Sequence, residues 1–197
     1  RRCAPCVDEH IDRSHPSETA RCMGLNERIS DYLSARRSIR TIILSFYYPD
    51  VTLWEFEGTE KAQTPEARLS ILAERVNRLI ARWSSEGKRV IVMSDVPSIQ
   101  TSPESCFRQA VLGRDSQPHC TIDQAVVARE MSGAKDFYAR LSKEACVFDL
   151  TSHFMKGTDA FMVKDGQVLY YDLHHLNPAG SAYAAAAFAG SNCFAGG

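Results

Sequence analysis

Near its C-terminus the chain reads Tyr170-Tyr171-Asp172-Leu173-His174-His175-Leu176-Asn177-Pro178-Ala179-Gly180-Ser181. An aspartate and a histidine three residues apart in a turn can set a carboxylate against one imidazole nitrogen and leave the other free to take a proton. Asp172 and His175 stand at that spacing and are the candidate catalytic pair. Taken alone, an Asp-x-x-His match is more often a turn cap beside surface histidines, so its weight depends on its surroundings. Ser45 and Ser94 follow apolar runs that read as buried strands, where parallel sheets place their chemistry. Neither has the sharp-turn glycine context of a nucleophilic serine, and both read better as polar strand ends, with Asp95 capping a turn before Pro97. His153 and His174 read as loop or surface histidines. Tyr47, Tyr48, Trp54 and Phe56 suit either a sugar-binding platform or aromatic loop packing.

Seven cysteines, Cys3, Cys6, Cys22, Cys106, Cys120, Cys146 and Cys193, are many for a cytosolic domain, and oxidised pairs are the expectation. Cys106 and Cys120 bracket a polar loop containing Gly113, Asp115, Ser116 and Pro118; a bridge between them would restrain a segment with little apolar content to hold it. Cys3-x-x-Cys6 has only Cys22, His10 and His15 nearby. That is a weak zinc signal, and no metal is assigned.

The elements that must position these residues follow from periodicity and punctuation. Thr41 to Leu44 read as a strand buried on both faces. Thr64 and Pro65 open a helix as hydroxyl N-cap and first-turn proline. Leu69, Leu72, Ala73, Val76, Leu79, Ile80 and Trp83 give it one apolar face, and Gly87 ends it. Val90 to Met93 follow as a second buried strand, so this strand, helix, strand unit implies parallel pairing. Thr121 and Gln124 match a capping box before a helix whose expected buried stripe is Val127, Met131, Ala134, Tyr138 and Leu141. Ala145 to Leu150 read as a third strand. Asp165-Gly166 marks a tight hairpin, and Asn177-Pro178 caps a last helix. Before the first strand, a loop is expected up to about Met23, then a short helix from Leu25 to Leu33 burying Leu25, Ile29, Tyr32 and Leu33.

The composition agrees with a globular α/β protein. The 197 residues are 44% hydrophobic and 24% charged, with 23 basic against 24 acidic side chains, so disorder is excluded. The near-neutral balance and the lack of a basic stripe argue against a nucleic-acid partner. No apolar run approaches the roughly 20 residues of a membrane span, and none resembles a signal core.

The terminal block Asp172, His175, Leu176 resembles the last conserved block of the SGNH hydrolases, the GDSL-like esterases. The resemblance extends over most of the chain and is closest to soluble domains fused to acyltransferase family 3 membrane proteins. Those domains share a cysteine and proline loop like Cys3 to Cys22, a strand leading into Val96-Pro97, a cysteine loop near Cys106, and a short hairpin before the Asp-x-x-His turn. The resemblance implies a three-layer flavodoxin-like fold in a single domain over residues 1–197. The family's Gly-Asp-Ser, which carries the nucleophile, does not occur here. Its Gly-x-Asn-Asp oxyanion block is replaced by Leu44-Ser45-Phe46-Tyr47-Tyr48. The nucleophilic serine and the first strands are therefore expected upstream of Arg1, and the oxyanion donor is unassigned.

The implied activity is acyl transfer, acetyl foremost, onto hydroxyls of envelope polysaccharide or lipopolysaccharide sugars, with no metal or dissociable cofactor. A membrane acyltransferase domain would deliver the acyl group. The location would be periplasmic or extracellular, tethered to the inner membrane through the parent protein. Alternatives are a stand-alone carbohydrate or lipid esterase, and an inert envelope-binding module that has lost its serine.

Overall fold

The computed structural model describes residues 10–11, 16–45, 55–56, 64–99, 102–112, 120–122, 124–157 and 159–195. Cys3, Cys6, His15, Tyr47, Tyr48 and Trp54, with the side chains of His10, Cys22 and Phe56, lie outside the described residues. The chain divides into two compact units, Arg1–Ser94 with Gly133–Val147, and Asp95–Ser132 with Phe148–Gly197.

In the first unit a short antiparallel pair, β1 (His10–Ile11) and β3 (Glu55–Phe56), accompanies helix α1 (Pro16–Ala35), strand β2 (Thr41–Ser45), helix α2 (Pro65–Ser85) and strand β4 (Arg89–Met93). β2 and β4 run parallel in register Thr41↔Arg89 to Ser45↔Met93. Strand β6 (Ala145–Phe148) completes a sheet of order β2-β4-β6. α2 forms where the sequence reading puts it. Thr64 Oγ1 accepts from Ala67 N–H at 3.2 Å, Pro65 occupies the first turn, and Gly87 leaves the helix at φ +75°, a conformation glycine adopts without steric penalty. Its seven expected core residues are all buried. Trp83 is wholly so, and truncating such a side chain costs about 3–5 kcal/mol. Asn77 of α2 donates to Arg140 C=O at 2.9 Å and accepts from Ser142 N–H at 2.6 Å. These bonds tie the segment before β6 to the helix.

α1 departs from expectation. It begins at Pro16, within the stretch read as loop, because proline at the first helical position gives up an N–H that has no partner there. Among its described side chains it buries Asn26 and Ser30, while Leu25, Ile29 and Tyr32 are exposed by 40%, 37% and 54%. Polar contacts fasten this part of the helix. Arg82 donates to Ser30 Oγ at 3.1 Å and to Asp31 at 3.3 Å, and buried Lys88 closes the far end by donating to Arg36 and Ile39 C=O. β2 also differs from the two-sided burial expected of it. Ile42 and Leu44 are buried, but Ile43 on the other face is half exposed, and among the described residues β2 pairs only with β4.

The second unit holds helix α3 (Pro103–Val111), strand β5 (Thr121–Ile122), the first part of helix α4 (Gln124–Ala139), helix α5 (Leu150–His153), strands β7 (Met155–Lys156) and β8 (Asp159–Phe161), the hairpin β9 (Val163–Lys164) and β10 (Gln167–Val168), and helices α6 (Pro178–Ala189) and α7 (Asn192–Ala195). Thr121 is not an N-cap: it is extended in β5, opposite Phe161 of β8, and β7 flanks β8 on its other side. The third parallel-type strand ends at Phe148 rather than Leu150, because Asp149 caps α5 by accepting from Ser152 N–H at 3.3 Å. Phe137, fully buried, fills the place in the α4 stripe that the spacing gave to Tyr138. The hairpin forms as read, with Asp165 and Gly166 both at positive φ, 50° and 76°. That backbone belongs to the primed two-residue turn.

Candidate active site

The segment leaving β10 is fastened before it turns. Asn177 N–H donates to Leu169 C=O at 2.9 Å and its side-chain amide to Val168 C=O at 2.7 Å, while its Oδ1 accepts from Gly180 N–H at 2.9 Å. One residue thus caps α6 and holds the incoming strand. Gly180 is required by the same packing, since a Cβ there would lie 2.0 Å from Leu169 O. Tyr170 and Leu176 form an antiparallel bridge, and Tyr171 N–H donates to His175 C=O at 2.8 Å. Residues 171–175 are therefore a closed loop.

The loop is anchored at depth to the segment following Asp95. Buried Tyr170 donates its hydroxyl to Pro97 C=O at 2.9 Å, and Ile99 N–H donates to Leu173 C=O at 2.7 Å. Burial, and then the nearby Asp95 carboxylate, push the Tyr170 phenol well above its ordinary range, so it remains a neutral donor. Asp95 Oδ1 accepts from Val96 N–H at 2.8 Å, the turn-capping role its sequence suggests, and its carbonyl accepts from Thr151 Oγ1 at 2.6 Å.

Within the loop, Asp172 does two things at once. Its Oδ1 accepts from the N–H groups of His174 and His175, at 2.9 and 2.8 Å, which is the local hydrogen bonding an aspartate offers a turn. Its Oδ2 lies 2.7 Å from His175 Nδ1. Turn cap and carboxylate–imidazole pair are therefore the same residue rather than rival readings. The backbone N–H of His174 first, then the side chain of His175, hold the Asp172 carboxyl well below the usual carboxylate range. An ionised Oδ2 takes the Nδ1 proton as a hydrogen bond and leaves the Nε2 lone pair available. The His175 side chain is 64% exposed. Such an imidazole can remove a proton from a hydroxyl brought to Nε2 and return it later.

His174 is placed differently. Its side chain is 26% exposed, its ring centre lies 4.2 Å from that of His175, and its Nδ1 is 3.9 Å from Asp172 Oδ1, beyond hydrogen-bond reach. Asp172, His174 and His175 present three ligand atoms within 4.8 Å of one another. The 2.7 Å bond between Asp172 and His175 already engages two of those side chains with each other. His153 stacks on Phe148 and accepts Tyr183 Oη at its carbonyl, 2.8 Å away. Ser45 closes β2 and Ser94 follows β4, both in the first unit, and Ser94 is 2% exposed. Cys106 and Cys120 form a disulfide between α3 and β5. Cys146 and Cys193 are disulfide-bonded as well.

A family model described as "SGNH domain (fused to AT3 domains)" matches residues 1–190. The chain belongs to that family. The match runs through both compact units, and the Asp172–His175 turn falls inside it. The SGNH domain is also similar in fold to the lipopolysaccharide acetyltransferase periplasmic domain of Salmonella ser. Paratyphi A, with a TM-score of 0.53 at 11% identity over 85% of this chain. It spans 61% of that chain's length. A search of curated proteins gives no match. No helix among the described residues is long and apolar enough to cross a membrane. The oxidised cysteines are the state that an oxidising compartment maintains.

The sequence missed the residues that fix the turn from a distance. Tyr170 reaches Pro97 across 73 positions, a pairing that local spacing does not encode. Gly180 left one signal, a glycine inside the first turn of a helix, where alanine is the better helix former.

Proposed function

We propose that this SGNH domain transfers an acyl group, acetyl foremost, to a hydroxyl of a cell-envelope polysaccharide or lipopolysaccharide sugar. The observation that carries the reading is the 2.7 Å Asp172–His175 pair on a closed turn, made through Nδ1 so that the second imidazole nitrogen takes no part in it. A serine hydroxyl loses its proton to His175 Nε2 as its oxygen bonds to the acyl carbon, and the donor's leaving group departs with that proton. The acceptor sugar hydroxyl then gives its proton to Nε2 and attacks the acyl carbon. The serine–acyl bond breaks, and the serine oxygen recovers the proton. Asp172 keeps the imidazole in the productive tautomer and stabilises its charged form.

The serine is expected from a segment outside these 197 residues, because the family's Gly-Asp-Ser does not occur among them. Among the described residues β2 pairs with β4 alone, and a further strand would add at its other edge. Fusion to AT3 domains in the family supports delivery of the acyl group by a membrane partner. The disulfides and the periplasmic similarity support a periplasmic location tethered through the parent protein. Asp172→Asn in the full-length protein tests the reading. Acyl content of the envelope polysaccharide should fall by roughly 10³–10⁴ in initial rate; transfer at the wild-type rate would refute it.

A further inference from the structure

The second unit contains a cleft of about 690 Å³ that shares no lining residue with the Asp172–His175 turn. It opens beside β7, β8 and the β9–β10 hairpin, with Tyr183 of α6 contributing to its wall. The rim carries Lys156, Asp159, Lys164 and Asp165, all exposed, and the wall carries Phe161 and Tyr183, both half-buried. Lys156 and Asp159 are register partners across β7 and β8, and Asp165 sits in the turn directly after Lys164. Opposite charges therefore alternate around an aromatic wall. The frame is well fixed: Met162 N–H donates to Cys120 C=O at 3.0 Å beside the Cys106–Cys120 disulfide, and Phe161 and Tyr183 meet edge to face at 5.9 Å.

We propose that this cleft binds the acceptor saccharide, holding a stretch of the glycan chain while a neighbouring sugar is acylated. The proposal rests on the acyl-transfer reading above and adds where the acceptor is held. Its size lies within the 300–1,000 Å³ range of small-molecule sites. Two ammonium groups and two carboxylates cancel in charge, so the rim does not select a polyanion. Sugar hydroxyls both donate and accept, which meets carboxylates and ammonium groups together. The apolar C–H face of a pyranose suits aromatic side chains. The cleft and the turn belong to the same compact unit. From Asp165 to Asp172 the chain advances seven residues, a span of at most about 25 Å fully extended.

Isothermal titration of the full-length protein in detergent with a delipidated lipopolysaccharide polysaccharide tests the assignment, with inorganic phosphate titrated in parallel. The polysaccharide should bind, phosphate should give no saturable heat, and Lys164→Met and Phe161→Ala should each weaken binding by about tenfold or more. Lys164 is exposed, so its variant should fold even where Phe161→Ala does not, and Lys164→Arg should restore most of the affinity. His175→Ala should bind the polysaccharide as the wild type does. Unchanged affinity in Lys164→Met, no polysaccharide binding, or phosphate binding with the same Lys164 dependence would each overturn the proposal. The two readings fail separately. Acyl transfer persisting in His175→Ala removes the catalytic assignment but leaves the binding result intact.

Discussion

Gly180→Ala sets helix propensity against packing in the element that holds the Asp172–His175 turn. Propensity alone favours alanine by about 1 kcal/mol. At Gly180, however, the new methyl would meet Leu169 O at 2.0 Å, Leu169 C at 2.9 Å and Leu176 Cδ2 at 3.0 Å. Two of these atoms are backbone and cannot rotate away, so the start of α6 must move about 1 Å to bring the closest contact to the 3.0 Å below which Cβ atoms are essentially never found. Overpacking of this kind costs typically about 1–3 kcal/mol. The shift also strains the Asn177 cap, worth about 1 kcal/mol. The net expectation is a loss of roughly 1–3 kcal/mol, or roughly 2–12 °C in melting temperature for a domain of this size. Because displacements near 1 Å can cost about 10² in rate, acyl transfer should fall further than stability alone explains. Gly190→Ala is the control. Its φ is −81° and its nearest atoms lie at 3.7 Å, so it should be neutral or slightly stabilising. Thermal unfolding of the two variants decides the matter. A Gly180→Ala protein that melts at or above the wild type would refute the packing argument.

Two further predictions concern the turn and the sheet. The Asp172 carboxyl is held below its ordinary range by hydrogen bonds that exist only in the folded turn. Its contribution to stability is therefore fully present above the unfolded value of about 3.9 and is lost only as pH falls toward the lowered folded value. The protection of the His174 and His175 amides, taken relative to intrinsic exchange at each pH, should hold down to about pH 4 and fall below it; protection already lost near neutrality would contradict the hydrogen bonding described. Among the described residues one edge of β2 has no strand partner and Ile43 is half exposed, so the 197-residue chain should self-associate, and Ile43→Lys should suppress this. Sedimentation of a concentration-independent monomer by the unsubstituted chain would contradict that expectation.

Local signals were legible where one demand acted on a residue. Thr64-Pro65, the apolar stripe of α2, Asp165-Gly166 and Asn177-Pro178 each have a single local use, and each element formed where its residues placed it. Misreadings arose where a distant partner competed. Thr121 has capping-box spacing to Gln124, yet its backbone is taken by pairing with Phe161 across 40 positions. Pro16 resembles a loop breaker until a helix uses it as a first residue. Ser30 of α1 is buried because Arg82, 52 positions away, supplies a partner for it. In the candidate site, the Asp172–His175 pair was readable because its geometry is local. Its anchors at Pro97 and Ile99, and the close approach at Gly180, depend on how distant segments pack.

The central claim is that His175, and not its neighbour, is the base. Both imidazoles lie near Asp172, but only His175 reaches it, at 2.7 Å against 3.9 Å for His174. Initial rates of acyl transfer by the full-length protein carrying His175→Ala and His174→Ala, measured side by side, test this most directly. His175→Ala should lose several orders of magnitude, on the order of 10³ or more, while His174→Ala keeps most of the activity. Equal losses, or a greater loss in His174→Ala, would contradict the assignment.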